Sequence, residues 1–147
     1  MQGEEDQDST FGTSCPSRAA LGPSGVPRRE ICERTFRFAV EIVNVCRRIE
    51  QTDSTVRTLG RQLIRSGTSI GANVEEAQGG QSRADFISKY AIARKEARET
   101  RYWLRLITES RPVERDALAP LIQECNELIA IMIAIIKKAQ SNKDRAE

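Results

Sequence analysis

The sequence predicts an all-α protein: an antiparallel, up-down-up-down four-helix bundle with a disordered N-terminal tail. Three observations predict it. Apolar residues recur at three- and four-residue spacing through four long segments. Short breaks separate those segments, at Thr52-Asp53-Ser54, at Gly79-Gly80 and around Pro112. No strand pattern is evident anywhere. Four helices of similar length joined by short turns pack as antiparallel neighbours.

Residues 1–27 read as a disordered acidic tail, rich in Gly, Ser and Pro and without a periodic apolar face. Glu4, Glu5, Asp6 and Asp8 against Arg18 give it a net charge of -3. Subtracting that from the chain total of +2 leaves +5 on residues 28–147. The start of the chain lacks the basic and apolar regions of a secretion signal. The bundle is expected over residues 28–140, followed by a polar tail at 141–147.

The first helix should run from Arg28 to Glu50. It carries two apolar stripes: Cys32, Phe36, Ala39, Val43 and Cys46, and Ile31, Phe38, Ile42, Val45 and Ile49. Two stripes imply neighbours over a wide arc. Asp53 or Ser54 should cap the second helix, Thr55–Gln78. Gly79-Gly80 should end it in the left-handed conformation that glycine accepts. Ser82-Arg83-Ala84-Asp85 is a capping box with Asp in the Glu position. The third helix, Arg83–Ser110, has the stripe Phe86, Tyr90, Ala93, Ala97, Leu104 and Ile107, and Pro112 closes it. The fourth covers Glu114–Gln140, with Leu121, Cys125, Leu128, Met132, Ile135 and Ala139 inward; Pro120 starts it or kinks it. Between Leu128 and Ile136 this helix is apolar nearly all round, more than one core can cover, so a subunit interface is expected there. That run is nine residues, against about 20 for a membrane span; no membrane partner is expected.

Within the second helix, Leu63, Gly67, Ile70, Val74 and Ala77 form a core stripe. Beside them Ser66, Ser69, Asn73 and Glu76 repeat the same spacing with small polar groups. Buried polar groups cost energy unless partnered, so this row reads as a structural motif that ties the helix to a neighbour. Gly67 and Gly71 leave room for close approach. The run Ser69-Ile70-x-Ala72-Asn73-x-x-Glu76, with Phe86, Ala93, Glu99 and Leu104 after it, resembles a bacterial four-helix-bundle family. That family was first noticed in intervening sequences of large-subunit ribosomal RNA genes and was then labelled a ribosomal protein. The resemblance is ungapped from Arg65 to Leu106, loose over residues 30–140, and strongest in the block Lys95–Leu106. Ala77 and Lys95-Glu96 depart from the glycine and Gly-Ser of many relatives. The resemblance implies a homo-oligomer, often a pentamer, and no particular activity. A more distant similarity in fold, to accessory bundle proteins of diversity-generating retroelements, implies a reverse transcriptase as partner.

The chain has no histidine. Ser-His-Asp and Cys-His catalysis are therefore excluded, and the commonest metal ligand is missing. Glu75, Glu76, Glu96 and Glu99 invite a di-metal reading, but that chemistry wants Glu-x-x-His pairs. No metal, cofactor or catalytic residue is expected, and no enzyme. Cys15, Cys32, Cys46 and Cys125 form no CxxC pair and read as free thiols in a reducing cytoplasm.

Arginines carry the remaining chemistry. Arg94, Arg98, Arg101 and Arg105 form one stripe on the third helix; Arg57, Arg61 and Arg65 form another on the second. Guanidinium rows suit phosphate, since each fork presents paired donors to an oxyanion. Ion pairs such as Lys95–Glu99 would compete. Tyr102 and Trp103 neighbour the stripe and could stack on bases, although packing is the favoured role. The expected function is a non-enzymatic, oligomeric binder of RNA or an RNA/DNA hybrid. The alternative is a protein-protein scaffold that binds no nucleic acid.

Overall fold

A computed structural model describes residues 28–144. The tail expected at residues 1–27 lies outside them. Four helices follow in order: α1 (Arg28–Ile49), α2 (Ser54–Gln78), α3 (Arg83–Ser110) and α4 (Arg115–Asp144), with a 3-10 turn at Pro112–Glu114. They form an all-α, up-down-up-down bundle. The last helix continues four residues past the expected end at Gln140.

The ends follow local chemistry. Asp53 caps α2, its carboxylate accepting from the backbone N–H of Thr55 at 3.0 Å and of Val56 at 3.1 Å. Ser82 caps α3 by accepting from Asp85 N–H at 3.1 Å. The glycine pair does end α2, but not in the left-handed form expected. Gly79 has φ -91° and ψ 2°, and its N–H turns back to Glu76 O at 3.1 Å. Space explains Gly80 instead. A Cβ there would lie 3.0 Å from the Asp85 carboxylate and 3.2 Å from the Ala77 carbonyl. Arg111 is extended ahead of Pro112, as the proline ring requires. Pro120 sits inside α4, one turn after its start.

Of the two α1 stripes, Ile31, Phe38, Ile42, Val45 and Ile49 are the core. They meet α2 where it is narrowest. Gly60 faces Ile49, Gly67 faces Ile42 and Gly71 faces the Thr35 carbonyl. The pairing descends along α1 as it climbs α2, so the helices are antiparallel. Of the other stripe, Cys46 is buried, Cys32, Ala39 and Val43 are half-buried, and Phe36 is 62% exposed, with Val40 beside it 42% exposed. This relocates the surplus apolar surface. Ile129 and Ile136 on α4, expected to be in excess, are buried in the chain's own core, and Ile133 is the large α4 side chain left exposed. By length and composition α4 could cross a membrane, yet Leu121, Cys125, Leu128, Met132 and Ile135 are buried among the other helices.

Buried thiols bridge backbones. Cys46 Sγ donates to Gly60 O at 3.4 Å and Cys125 Sγ to Ala97 O at 3.0 Å. Burial pushes their pKa up to about 11 and about 12. Cys32, half-buried, is free as well.

Candidate nucleic-acid interface

The helix α3 separates its charges by side. Toward α2 it presents acids: Glu96 and Glu99 both reach Arg65, the former at 3.5 Å. Trp103, one turn after Glu99, donates its indole N–H to that carboxylate at 3.2 Å. The Arg65 guanidinium, and then the indole, hold Glu99 below the usual carboxylate range. The Lys95–Glu99 pair expected within the helix gives way to this cross-helix pair. Lower down, Lys89 pairs with Glu76.

The opposite flank of α3 faces α4 and carries Arg94, Arg98, Arg101 and Arg105. Ala97 O, in contact with Cys125, and the Arg101–Asn126 hydrogen bond at 3.1 Å fix this orientation. Two acids of α4 are engaged elsewhere. Glu124 and Glu127 turn to α1, where Arg34 forks onto Glu124 at 2.6 and 2.8 Å and also reaches Glu127. Among the described residues, no carboxylate pairs with any of the four α3 arginines. Arg98 and Arg105 are exposed, Arg94 and Arg101 half-buried.

The α2 row is different. Arg65 is occupied by Glu96 and Glu99 of α3. Arg61 is exposed and Arg57 half-buried, and neither has a charged partner among the described residues. Because Arg65 leans on the acidic side of α3, the two rows lie on opposite flanks of that helix and do not merge within one chain.

The polar row of α2 divides. Ser66 is buried and accepts from Thr100 Oγ1 on α3 at 3.0 Å while donating to Gln62 O at 3.0 Å. Glu76 also crosses to α3, through Lys89. Asn73 does not cross. Its amide donates to Ser69 O at 2.9 Å and contacts Ser69 Oγ at 3.2 Å, both on its own helix. Among the described residues no group of three metal-ligating His, Cys, Asp or Glu side chains occurs.

Sequence reasoning missed two features of the site. One is Asn126, which carries no signal beyond its place on α4. The other is the exposure of Tyr102, 58%. Its spacing of four from Arg98 and three from Arg105 was available as a signal.

A sequence model of the 23S rRNA-intervening sequence protein family matches residues 28–134. The chain belongs to that family. The match spans all of α1 to α3 and most of α4, so both arginine rows fall inside it. Among solved structures, the chain is similar to a protein of unknown function from the S23 ribosomal protein family of Bacteroides thetaiotaomicron. The two share 39% identity and a TM-score of 0.70, over 75% of this chain and 97% of that one. No curated protein matches.

Proposed function

We propose that the chain is a non-enzymatic, self-associating cytoplasmic protein that binds RNA or an RNA/DNA hybrid by its phosphates. The observation that carries this reading is the α3 row: Arg94, Arg98, Arg101 and Arg105 on one flank, with Glu96 and Glu99 of the same helix drawn to Arg65 of α2 and Glu124 and Glu127 of α4 drawn to Arg34 of α1. Guanidinium groups with no carboxylate partner keep their forks for an oxyanion, apart from the one N–H that Arg101 gives to Asn126. The family's description, which names a ribosomal RNA intervening sequence, agrees with an RNA ligand. Contact through phosphates positions a strand without reading its sequence. Beside a reverse transcriptase, the partner implied by fold similarity, the row would face template or product strand.

The test is filter binding of single-stranded RNA across a salt series. Each neutralised phosphate releases counterion, so log affinity should fall by roughly 0.7 per contact against log salt. Replacing Arg98 and Arg105 by Ala should weaken all sequences alike and flatten the slope by about 1 to 2 units, with circular dichroism unchanged. Wild-type protein that binds no RNA or DNA at low salt ends the proposal.

A scaffold reading has its own support in the α1 stripe. Phe36, Val40, Val43 and Ala39 flank a groove of about 570 Å³ whose floor includes Gly71 and Ala72 of α2. We assign this face to contact with a second copy, as the self-associating part of the proposal. Light scattering should give a mass above the 16.5 kDa of one chain, with a pentamer as the family expectation. Phe36→Glu should return it to monomer, and a wild-type monomer would overturn the assignment.

A further inference from the structure

Tyr102 lies beside the basic flank, on the outward face of α3 between the arginine row and Trp103. It lies one turn from Arg98 on one side and from Arg105 on the other, so the three side chains are neighbours on the helix surface. The residue is 58% exposed, although tyrosine ordinarily gains by burial. The ring is nevertheless held. It meets Trp103 edge to face, with centroids 5.0 Å apart and planes at 76°. Trp103 is fixed in turn by its hydrogen bond to Glu99, and Glu99 by Arg65 of α2. An exposed aromatic face is thus braced from behind by a chain of contacts that ends on another helix. Cations stand one turn away on either side.

We propose that Tyr102 is a stacking platform for an unpaired base and that it makes the arginine row a site for single-stranded nucleic acid. The inference rests on the phosphate-binding reading above and adds the strandedness of the ligand. A duplex keeps its base faces stacked inside and offers none to Tyr102. A single strand can turn one base onto the ring while its phosphates follow the arginines. The row from Arg94 to Arg105 rises about 16 Å along α3. That length matches about five stacked nucleotide steps at roughly 3.4 Å each. The strand therefore has phosphates on both sides of the stacked base within reach of the row. In this arrangement Arg65 serves the site without touching ligand, through Glu99 and Trp103.

The experiment compares an unstructured mixed-sequence RNA of about 12 nucleotides with the duplex of the same sequence, using the full chain and Tyr102→Leu and Tyr102→Phe. The single strand should bind wild type more tightly than the duplex does. Tyr102→Leu should weaken single-strand binding by about tenfold and leave the duplex unchanged, because one stacked base is lost. Its salt slope should stay that of wild type, since no charge is removed. Tyr102→Phe keeps the ring and should stay within about twofold of wild type. The emission of Trp103, the one tryptophan in the chain, should change on single-strand binding in wild type and not in Tyr102→Leu. Duplex binding as tight as single-strand binding, or a Tyr102→Leu loss equal for both, overturns the proposal and leaves the arginine row standing. A Tyr102→Leu protein with altered oligomer mass makes Tyr102 a subunit contact and also overturns it. If wild type binds neither RNA at low salt, the phosphate-binding reading fails first.

Discussion

Between α2 and α3, Thr100 donates to Ser66 deep in the bundle, with the Lys89–Glu76 and Arg65–Glu96/Glu99 pairs at its margins. Between α1 and α4, a groove of about 880 Å³ stays open, and Arg34 reaches across it to Glu124 and Glu127. The floor of that groove is apolar, with Phe38, Val45 and Leu121, while its walls are charged. The two seams differ in what fixes them. A buried hydroxyl pair works in one register only, because any slip leaves donors and acceptors unsatisfied. Partly exposed ion pairs tolerate movement and contribute little, about 0–1 kcal/mol each. The bundle is therefore held in register along α1–α2–α3 and joined more loosely where its first and last helices meet.

The harshest way to break the tight side is at Gly67. A Cβ there would stand 2.8 Å from Ile42 Cγ2, and a whole leucine has nowhere to go. Gly67→Leu should cost about 3 kcal/mol by overpacking, read as a lower urea midpoint. Gly71 sharpens the contrast, since a Cβ there meets the Thr35 carbonyl only at 3.4 Å, ordinary contact. Gly71→Ala should be neutral or gain up to about 1 kcal/mol from helix propensity. A Gly67→Leu protein as stable as wild type would mean that α1 and α2 can part freely.

Next in size is the hydroxyl pair. Thr100→Val keeps the shape and removes the donor to Ser66, at about 1 kcal/mol. With Ser66→Ala it forms a double-mutant cycle whose coupling should exceed about 0.5 kcal/mol. Additive single mutants would show that the pair does not fix the register.

The open seam should respond less. Arg34→Ala should lower stability by under about 1 kcal/mol, and the difference should shrink at about 0.5 M salt as the pair is screened. A loss larger than that of Thr100→Val would reverse the ranking of the seams.

Smallest is an acid effect on the tight side. Glu99 is held below its ordinary pKa by Arg65 and then Trp103. The unfolded chain therefore binds this proton more readily than the folded one. The contribution of Glu99 is full above about pH 4.3, the unfolded carboxylate value. It disappears as pH falls through the lower folded value. Thermal melts of wild type and Glu99→Gln across that range should converge in acid. A gap that stays constant with pH would show that the carboxylate charge is not the source.

Much of this architecture was legible in the sequence because helices announce themselves locally. Asp53 and Ser82 cap where their residue types indicate, and the α3 and α4 stripes are buried as their spacing requires, except for half-buried Phe86 at the start of α3. What stayed hidden depends on neighbours. Both stripes of α1 are apolar at helical spacing, and only the position of α2 decides that Ile42 is inside and Phe36 outside. Helix four looked over-supplied because a lone helix does not reveal that Ile129 and Ile136 flank the same core. The arginine rows were visible as rows. The pairing of Arg65 with Glu99, 34 residues away, is invisible to a rule that compares positions three and four apart. The left-handed turn expected at Gly79 failed for a related reason: the residue type permits a conformation without requiring it, and the demand for space came from Asp85 beyond the turn.

Cys46 and Cys125 place their thiols against carbonyls of facing helices and have pKa values near 11 and 12. Thiolate is the species that alkylating reagents attack, and burial disfavours it at both sulfurs. The folded protein thus keeps these two sulfurs out of reaction almost entirely. They become reactive only when α1 leaves α2, for Cys46, or α4 leaves α3, for Cys125. The chain carries two chemical clocks, one on each side of the bundle, and their separate alkylation rates time which pair of helices opens first.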